Sequence, residues 1–174
     1  MAGAAAPGER PTDPVGRALY AVSHAVALAG GGVLALMAAM TAVSVTGRSF
    51  FGAPIPGDFE LIEIGLGVAL FAILPYCQIT RVNVIVDFFL ERAPRRAKAF
   101  FDALGSFLYL AIVALLLWRH SLGGLEMYRH GETTMILQLP RWWTFPVAAA
   151  CLALLAAVCL YTLWRSIRHV RAGG

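Results

Sequence analysis

Charged residues are excluded from four long stretches of the chain and collect between them. The uncharged stretches, each bracketed by Arg, Asp or Glu, cover residues 18–47, 64–80, 103–118 and 142–164. A helix needs about 20 apolar residues to cross about 30 Å of hydrocarbon, and the two shorter stretches reach that length if Glu63 and Asp102 lie at the membrane surface. Because lipid offers no partners for backbone polar groups, the pattern predicts an all-α membrane protein with four transmembrane helices.

The predicted membrane domain covers residues 18–168. Residues 1–17 are rich in Ala, Gly and Pro and are predicted to be a disordered tail, while residues 169–174 form a second short tail. The first uncharged stretch is too long for a secretory signal, whose apolar region covers about 7–15 residues, so we expect an uncleaved first span. The spans are placed at about residues 20–46, 59–79, 99–119 and 142–164.

The composition agrees with lipid as the solvent. Of 174 residues, 59% are hydrophobic and only 14% are charged, which is far from the balance of soluble domains. The net charge of +4 is interpreted as an orientation signal and not as a nucleic-acid surface. The three cysteines are dispersed in or beside apolar stretches, which is typical of packing residues and not of a disulfide framework or metal site.

The basic residues predict the orientation. Of the 14 Lys and Arg residues, 2 fall in the N-terminal tail, 5 between spans 2 and 3, and 3 at the C-terminus, while the other two connections hold 4. The side with 10 basic residues is expected to be cytoplasmic, so both termini face the cytoplasm. Between spans 2 and 3, polar residues recur every four positions at Asn83, Asp87, Glu91 and Arg95. This spacing predicts an amphipathic helix lying flat at the inner membrane surface.

Seven residues are candidates for structural or partner contacts. Glu60 and Glu63 share one face of the first turn of span 2, where the helix dipole favours anions. Arg48 lies at the end of span 1 that faces these glutamates. Two interpretations stay open: Arg48 forms an ion pair with the glutamates, or all three are independent charges at headgroup level. Asp87 and Arg95 belong to the predicted inner helix. Pro140 and Trp142 lie at the start of span 4, after the apolar run at 135–139. This run is either a contact surface for a partner or an ordinary interfacial loop.

Small residues in the predicted spans favour close helix packing, and the four histidines are predicted to lie at the membrane surface. Gly30–Gly32, Gly65 and Ala69 have the spacing that lets helix backbones approach closely, although Gly and Ala are frequent in membrane helices generally. His24 and His120 are predicted at opposite ends of the membrane domain, so they cannot hold one haem at mid-depth. The histidines are expected to be interfacial and solvated. We expect no cofactor, no metal site and no catalytic residue.

The predicted spans hold no charged residue near their middle. Intramembrane ionisable residues mark ion and proton routes, so their absence argues that this chain does not carry a coupled solute by itself. A stand-alone small multidrug exporter should have a carboxylate inside span 1. Here that span offers only the side chains of Ser, Thr and His in place of a carboxylate. A self-assembling channel would need a polar pore face, which only the Ser and Thr residues of span 1 could supply.

Three segments resemble the DctQ family, the small membrane subunit of tripartite ATP-independent periplasmic (TRAP) transporters. The resemblance spans roughly residues 19–168. Its motifs are Arg48 before a short loop that ends at Pro56 to Glu60-Leu61, Asn83-Val84-Ile85-Val86-Asp87 followed by Pro94 and a basic cluster, and Leu137-Gln138-Leu139-Pro140-Arg141-Trp142.

The resemblance implies a scaffold subunit of the bacterial inner membrane. Its partners would be a large multi-span subunit with the substrate and sodium sites, and a periplasmic protein that delivers substrate. The expected function is therefore that of a non-enzymatic small permease subunit of a sodium-driven transporter for organic acids such as dicarboxylates or sugar acids. The alternative is an unrelated four-span structural partner or a self-assembling channel.

Overall fold

A computed structural model describes residues 13–52, 55–80 and 95–172, and in this part of the chain four helices are long and apolar enough to cross a membrane. This confirms the prediction of an all-helical protein with four helices that could span a membrane; the described residues contain no strand, only an isolated β-bridge. The predicted inner-surface helix falls largely on residues 81–94, outside the described residues. The helices are α1 (Pro14–Phe51), α2 (Asp58–Ile79), α3 (Arg95–His130) and α4 (Thr144–Ala172), with a 3₁₀ turn at Arg141–Trp143.

The helices pack in an order that differs from their order along the chain. Helix α1 packs against α2, α2 packs against α4, and α4 packs against α3. The central helices α2 and α4 are consequently the most buried, whereas α1 and α3 bury little of their surface within the chain. Two of the four helices therefore present long apolar faces that no other described element covers.

A seam of small residues joins α1 to α2. The buried residues of α1 are Gly16, Ser23, Gly30 and Ser44, which lie seven or fourteen positions apart and so share one face of the helix. A Cβ added at Gly30 would lie 2.9 Å from the Ala72 Cβ atom and 3.1 Å from the backbone oxygen of Ala69, so only glycine permits this approach. A seven-residue repeat on one face is the spacing of helices that wrap around each other with a left-handed twist.

The larger core lies between α3 and α4. Val113 of α3 and Leu152, Leu155 and Cys159 of α4 form a buried cluster, and Phe71 of α2 packs against it. These side chains bring three of the four helices into one packed unit. Helix α1 is held mainly through its seam with α2.

The structure corrects the predicted end of the third helix. The sequence predicts that span 3 ends at about residue 119, but α3 continues to His130. The sequence there contains Gly123-Gly124, which is typical of a turn, whereas in the fold the pair provides space for a ring: a Cβ at Gly124 would lie 2.8 Å from the Cβ atom of Phe145. Arg119 and His120 therefore lie within a helix and not in a loop.

Arg119 lies well inside the part of α3 that is long and apolar enough to cross a membrane, whereas the sequence predicts no charge near the middle of a span. The part of α3 that could cross the membrane is Leu104–His130, 27 residues long, and Arg119 is its sixteenth. The ring of the adjacent His120 lies 5.6 Å from that of Phe71, which is well inside α2. An Arg at the bilayer centre costs about 2.5–3.5 kcal/mol on insertion scales, so its presence requires a reason.

The seam gives a stability prediction with a matched control. Replacing Gly30 with Leu should destabilise the protein by about 1–3 kcal/mol, because the new side chain collides with α2. Gly31→Leu adds the same side chain where nothing lies within 4 Å of the Cβ position, and its effect should stay below about 0.5 kcal/mol. SDS-driven unfolding in mixed micelles, followed by far-UV circular dichroism, measures both; equal losses would contradict the assigned seam.

Candidate functional site at the loop end of the bundle

Two connections meet at one end of the bundle, which we call the loop end. Helices α1 and α3 end here, and α2 and α4 begin here. The longer connection, residues 131–143, is called the connector. Because the connector joins α3 to α4, any bond between it and α2 ties the two helical hairpins together.

The connector has an ordered internal structure. Gly131 ends α3 with a positive φ of 62°, and the chain then folds back on itself through a β-bridge between Thr133 and Pro140. The backbone N–H of Thr134 donates to the oxygen of Leu139 at 3.0 Å, and the N–H of Leu139 donates to the Thr134 hydroxyl oxygen at 3.1 Å. The connector is thus a small hairpin with internally paired polar groups.

Glu60 binds the tip of this hairpin. Its two carboxylate oxygens accept the backbone N–H groups of Ile136 at 2.7 Å and Leu137 at 3.0 Å. Charge-assisted bonds of this kind are shorter and stronger than those between neutral groups. A side chain in the first turn of α2 therefore supplies acceptors to two donors that the hairpin itself does not pair.

Glu63 makes the second bond to the connector. Its Oε1 atom accepts a hydrogen bond from the guanidinium of Arg141 at 3.0 Å. The two side chains remain 68% and 43% exposed, so the pair contributes little stability compared with a buried one. Its position one turn after Glu60 nevertheless aligns the end of the connector with α2.

Leu137 packs onto a glycine that starts α2. Gly57 precedes the helix with a φ of 76°, a conformation that glycine adopts without strain. A Cβ at this position would lie 2.5 Å from Leu137 Cγ. The absence of a side chain at Gly57 therefore allows both the turn and the seating of the connector.

The shorter connection, which joins α1 to α2, is held by the carboxylate of Asp58. The Ser44 hydroxyl of α1 donates to Asp58 Oδ2 at 2.6 Å, and Asp58 Oδ1 accepts the backbone N–H of Phe59 at 2.8 Å. The sequence places span 2 from about residue 59, and α2 begins at Asp58 with Gly57 as the cap residue. The Asp58 carboxylate thus joins the end of α1 to the start of α2.

The predicted contact residues fall into three groups. Glu60, Glu63, Pro140 and Trp142 come together at the connector, where Pro140 precedes the 3₁₀ turn and the Trp142 ring packs edge-on against Tyr128 at 5.3 Å. Arg48 does not join them: it is exposed in the last turn of α1, and no described ion pair links it to either glutamate. The glutamates bind the connector instead.

The remaining two residues cannot be placed in the same way. Asp87 lies outside the described residues, and Arg95 is the first residue of α3. A functional role for any of the seven residues stays a prediction.

His120 was missed as a site residue because the sequence placed it in a solvated loop. Its ring stacks on Phe145 with centroids 4.7 Å apart, and its buried Nε2 atom has no hydrogen-bond partner among the described residues. It lines a groove of about 290 Å³ between α2, α3 and α4, whose walls are mainly apolar and also include Glu63 and Arg141. The only feature of the sequence that could have indicated this packing is the Gly123-Gly124 pair, one turn after His120, which leaves room for Phe145.

The geometry is suited to holding structure and presenting a surface. In the described part of the chain, no three His, Cys, Asp or Glu residues are grouped so that they could hold a metal ion. The hairpin tip instead presents Met135 and Ile136 to the surroundings, 96% and 61% exposed. Apolar side chains held at the tip of an ordered hairpin are typical of a contact with lipid or with another protein.

Comparison with known families gave one match. The family model described as "Tripartite ATP-independent periplasmic transporters, DctQ component" matches residues 37–169. The matched region begins within α1 and runs through α2, the connector and nearly all of α4. No curated protein and no solved structure gave a significant match to the chain.

Removal of Glu60 should release the hairpin tip. In Glu60→Ala, the N–H groups of Ile136 and Leu137 lose their acceptors, so their amide exchange with solvent should accelerate by roughly three- to tenfold. Glu63→Ala removes only an exposed ion pair and should leave these two amides nearly unchanged. Hydrogen–deuterium exchange in nanodiscs measures both variants, and equal protection in Glu60→Ala and the wild type would refute the bonding scheme.

Two left-handed glycines allow the seating of Leu137 to be measured. Gly52 and Gly57 both have positive φ, but only Gly57 faces Leu137, while nothing lies within 4 Å of the Cβ position at Gly52. Gly52→Ala should cost about 1–2 kcal/mol from backbone strain alone, and Gly57→Ala should cost more because it also displaces Leu137.

Thermal unfolding in mild detergent measures the difference. The double variant Gly57→Ala/Leu137→Ala tests its cause: with Leu137 truncated, the added effect of Gly57→Ala should fall to that of Gly52→Ala. An undiminished effect would show that Leu137 is not what the new methyl group meets.

Proposed function

The chain belongs to the family of DctQ components of tripartite ATP-independent periplasmic transporters, and on this premise we propose that it scaffolds the large transport subunit of a sodium-driven transporter for organic acids. The observation that carries the proposal is the family match, which covers most of the described helices. Dicarboxylates and sugar acids are the solute classes we propose. A periplasmic protein would deliver the solute, and the large subunit would hold the solute and sodium sites.

The packing of the helices supports a scaffold. Helices α1 and α3 bury little of their surface within the chain, so this subunit offers much apolar surface to lipid or to a larger partner. The bonds of Glu60 and Glu63 to the connector fix the α1–α2 hairpin relative to the α3–α4 hairpin. A rigid subunit with a broad free surface is suited to widening the immobile part of a transporter.

The polar residues of α1 argue against the alternative of a self-assembling channel. Ser23 and Ser44 are buried on the seam with α2, so they are not available to line a pore. The hydroxyl groups of Thr41 and Thr46 donate to backbone oxygens of their own helix, at 2.8 Å and 2.7 Å. These four side chains therefore do not form the continuous polar face that conduction requires.

We further propose that both termini lie in the cytoplasm of a bacterium and that the loop end faces the periplasm. The four basic residues first counted on the loop side included Arg119. Since Arg119 lies within α3, only Arg48, Arg129 and Arg141 remain at the loop end, against ten on the other side. This larger contrast favours the proposed orientation, which would place the hairpin tip where a periplasmic delivery protein could contact it.

Isolation of the native complex tests the proposed function. The chain, tagged at its C-terminus and extracted from native membranes in mild detergent, should recover a large multi-span subunit in stoichiometric amount, identified by mass spectrometry. Proteoliposomes holding both subunits should accumulate organic acids when the periplasmic protein and an inward sodium gradient are present, and potassium in place of sodium should abolish uptake. Recovery of the chain alone, or ion flux through liposomes that hold only this chain, would overturn the proposal.

A further inference from the structure

One charged residue remains unexplained by the fold, and it lies on the outward face of α3. This face, which we call the Arg119 face, consists of Leu108, Leu115, Arg119, Leu122 and Glu126. All five residues are exposed, and Val113, on the opposite side of the helix, is buried in the core. The spacing of three, four and seven residues places them on one stripe.

Arg119 has no partner within the described chain. No described carboxylate lies within 4.0 Å of its guanidinium, and no described hydrogen bond involves it. Glu126 lies on the same stripe, two turns further along, so it is about 10 Å away along the helix axis. Among the described residues, therefore, none neutralises the charge of Arg119.

Arg119 lies on the outward face of α3, well before the end of that helix at His130. The ring contact between Tyr128 and Trp142 marks the loop end of α3 and α4, where aromatic rings settle at headgroup level. Nine residues separate Arg119 from Tyr128, which is about 13 Å of helix. Side chains of a helix lean toward its N-terminus, and in α3 that direction leads away from the nearer membrane surface.

Lipid alone does not suit this face. An ionisable side chain at such a depth is typically paired inside a bundle or a complex. Helix α1 provides a contrast, since its outward face is equally free of contacts but presents apolar residues such as Leu28 and Leu36, both 64% exposed. That face is compatible with hydrocarbon, whereas the Arg119 face requires a complementary group at the same level.

We propose that the Arg119 face is the surface that binds the large transport subunit, through a carboxylate or the free carbonyl groups of a helix C-terminus held at mid-membrane depth. The inference rests on the proposed function, because it takes the large subunit as the partner. It goes further by assigning the contact to α3 and not to α1, and by stating the chemistry that the partner presents. The leucines at 108, 115 and 122 would pack beside the charge pair.

Substitution of Arg119 in the intact complex is the first test. Arg119→Leu and Arg119→Glu should reduce the amount of large subunit recovered with the tagged chain at least tenfold, and Arg119→Lys should retain a substantial part of it. Arg129→Leu, near the end of the same helix, is the control and should recover the large subunit as the wild type does. The amount of tagged chain in the membrane, measured in parallel, separates loss of binding from loss of folding.

Photo-crosslinking in native membranes provides a second readout that needs no change of charge. A photoreactive residue at Leu115 or Leu122 should give a covalent product with the large subunit, and the same residue at Leu28 or Leu36 of α1 should give none. Products from α1 but not from α3 would overturn the assignment. So would normal recovery of the large subunit with Arg119→Leu, which would leave a lipid phosphate or trapped water as the partner of the charge.

Failure of the inference and failure of the proposed function are distinguishable. If the wild-type chain recovers no large subunit, the proposed function is wrong. If the wild type recovers it but the Arg119 variants and the α3 cross-links behave as their controls do, the function stands and the assigned surface is wrong.

Discussion

Every polar group that lies away from water in this protein needs a partner, and the architecture follows from how those partners are supplied. Four helices pair their own backbone groups, while the connections at the loop end rely on carboxylates. Asp58 joins α1 to α2 through Ser44, and Glu60 holds two N–H groups of the connector. Three side chains lack such a partner among the described residues: Ser23 and His120, each with a buried polar atom, and Arg119, whose charge lies on the outward face of α3.

These contacts account for a subunit that is rigid but incompletely covered. The seam at Gly30 brings α1 and α2 close, and the cluster around Val113 joins α3 and α4. The connector then ties one hairpin to the other through Glu60 and Glu63. In the packing order α1, α2, α4, α3, the two outer helices keep an uncovered outward surface. This surface is apolar on α1 and apolar with one central charge on α3. Such a division fits a scaffold that meets lipid on one side and a larger partner on the other.

The span pattern was predictable from the sequence because exclusion of charge from lipid is a strong local rule. The sequence also indicated Glu60, Glu63, Pro140 and Trp142 as residues of one region, since all four lie at predicted span ends on the same side. Their mutual contacts were not predictable, because residues 60 and 136 are 76 positions apart along the chain and their distance in space depends on how α2 packs against α4. The same limit explains why Arg48 was considered a partner for the glutamates and is not.

The largest error had a specific physical cause. Arg119 closes the uncharged stretch at 103–118, and for that reason the sequence places span 3 at about residues 99–119. In the fold, Gly124 makes room for Phe145 and α3 continues to His130. A charge in the middle of a helix has the same appearance in a sequence as a charge at its end, and only packing against α4 separates the two. The period of seven on α1 was, by contrast, present in the sequence and could have been found.

If this subunit is a rigid scaffold, its two helical hairpins keep the same relative position during transport, and one distance measurement tests this most directly. Spin labels carried on unnatural amino acids at Leu28 of α1 and Leu160 of α4, both exposed, report on the relation between the two helical hairpins. In the reconstituted transporter, pulsed electron paramagnetic resonance should give one narrow distance distribution that stays the same with and without sodium and substrate. A distribution that broadens or shifts during transport would contradict the account.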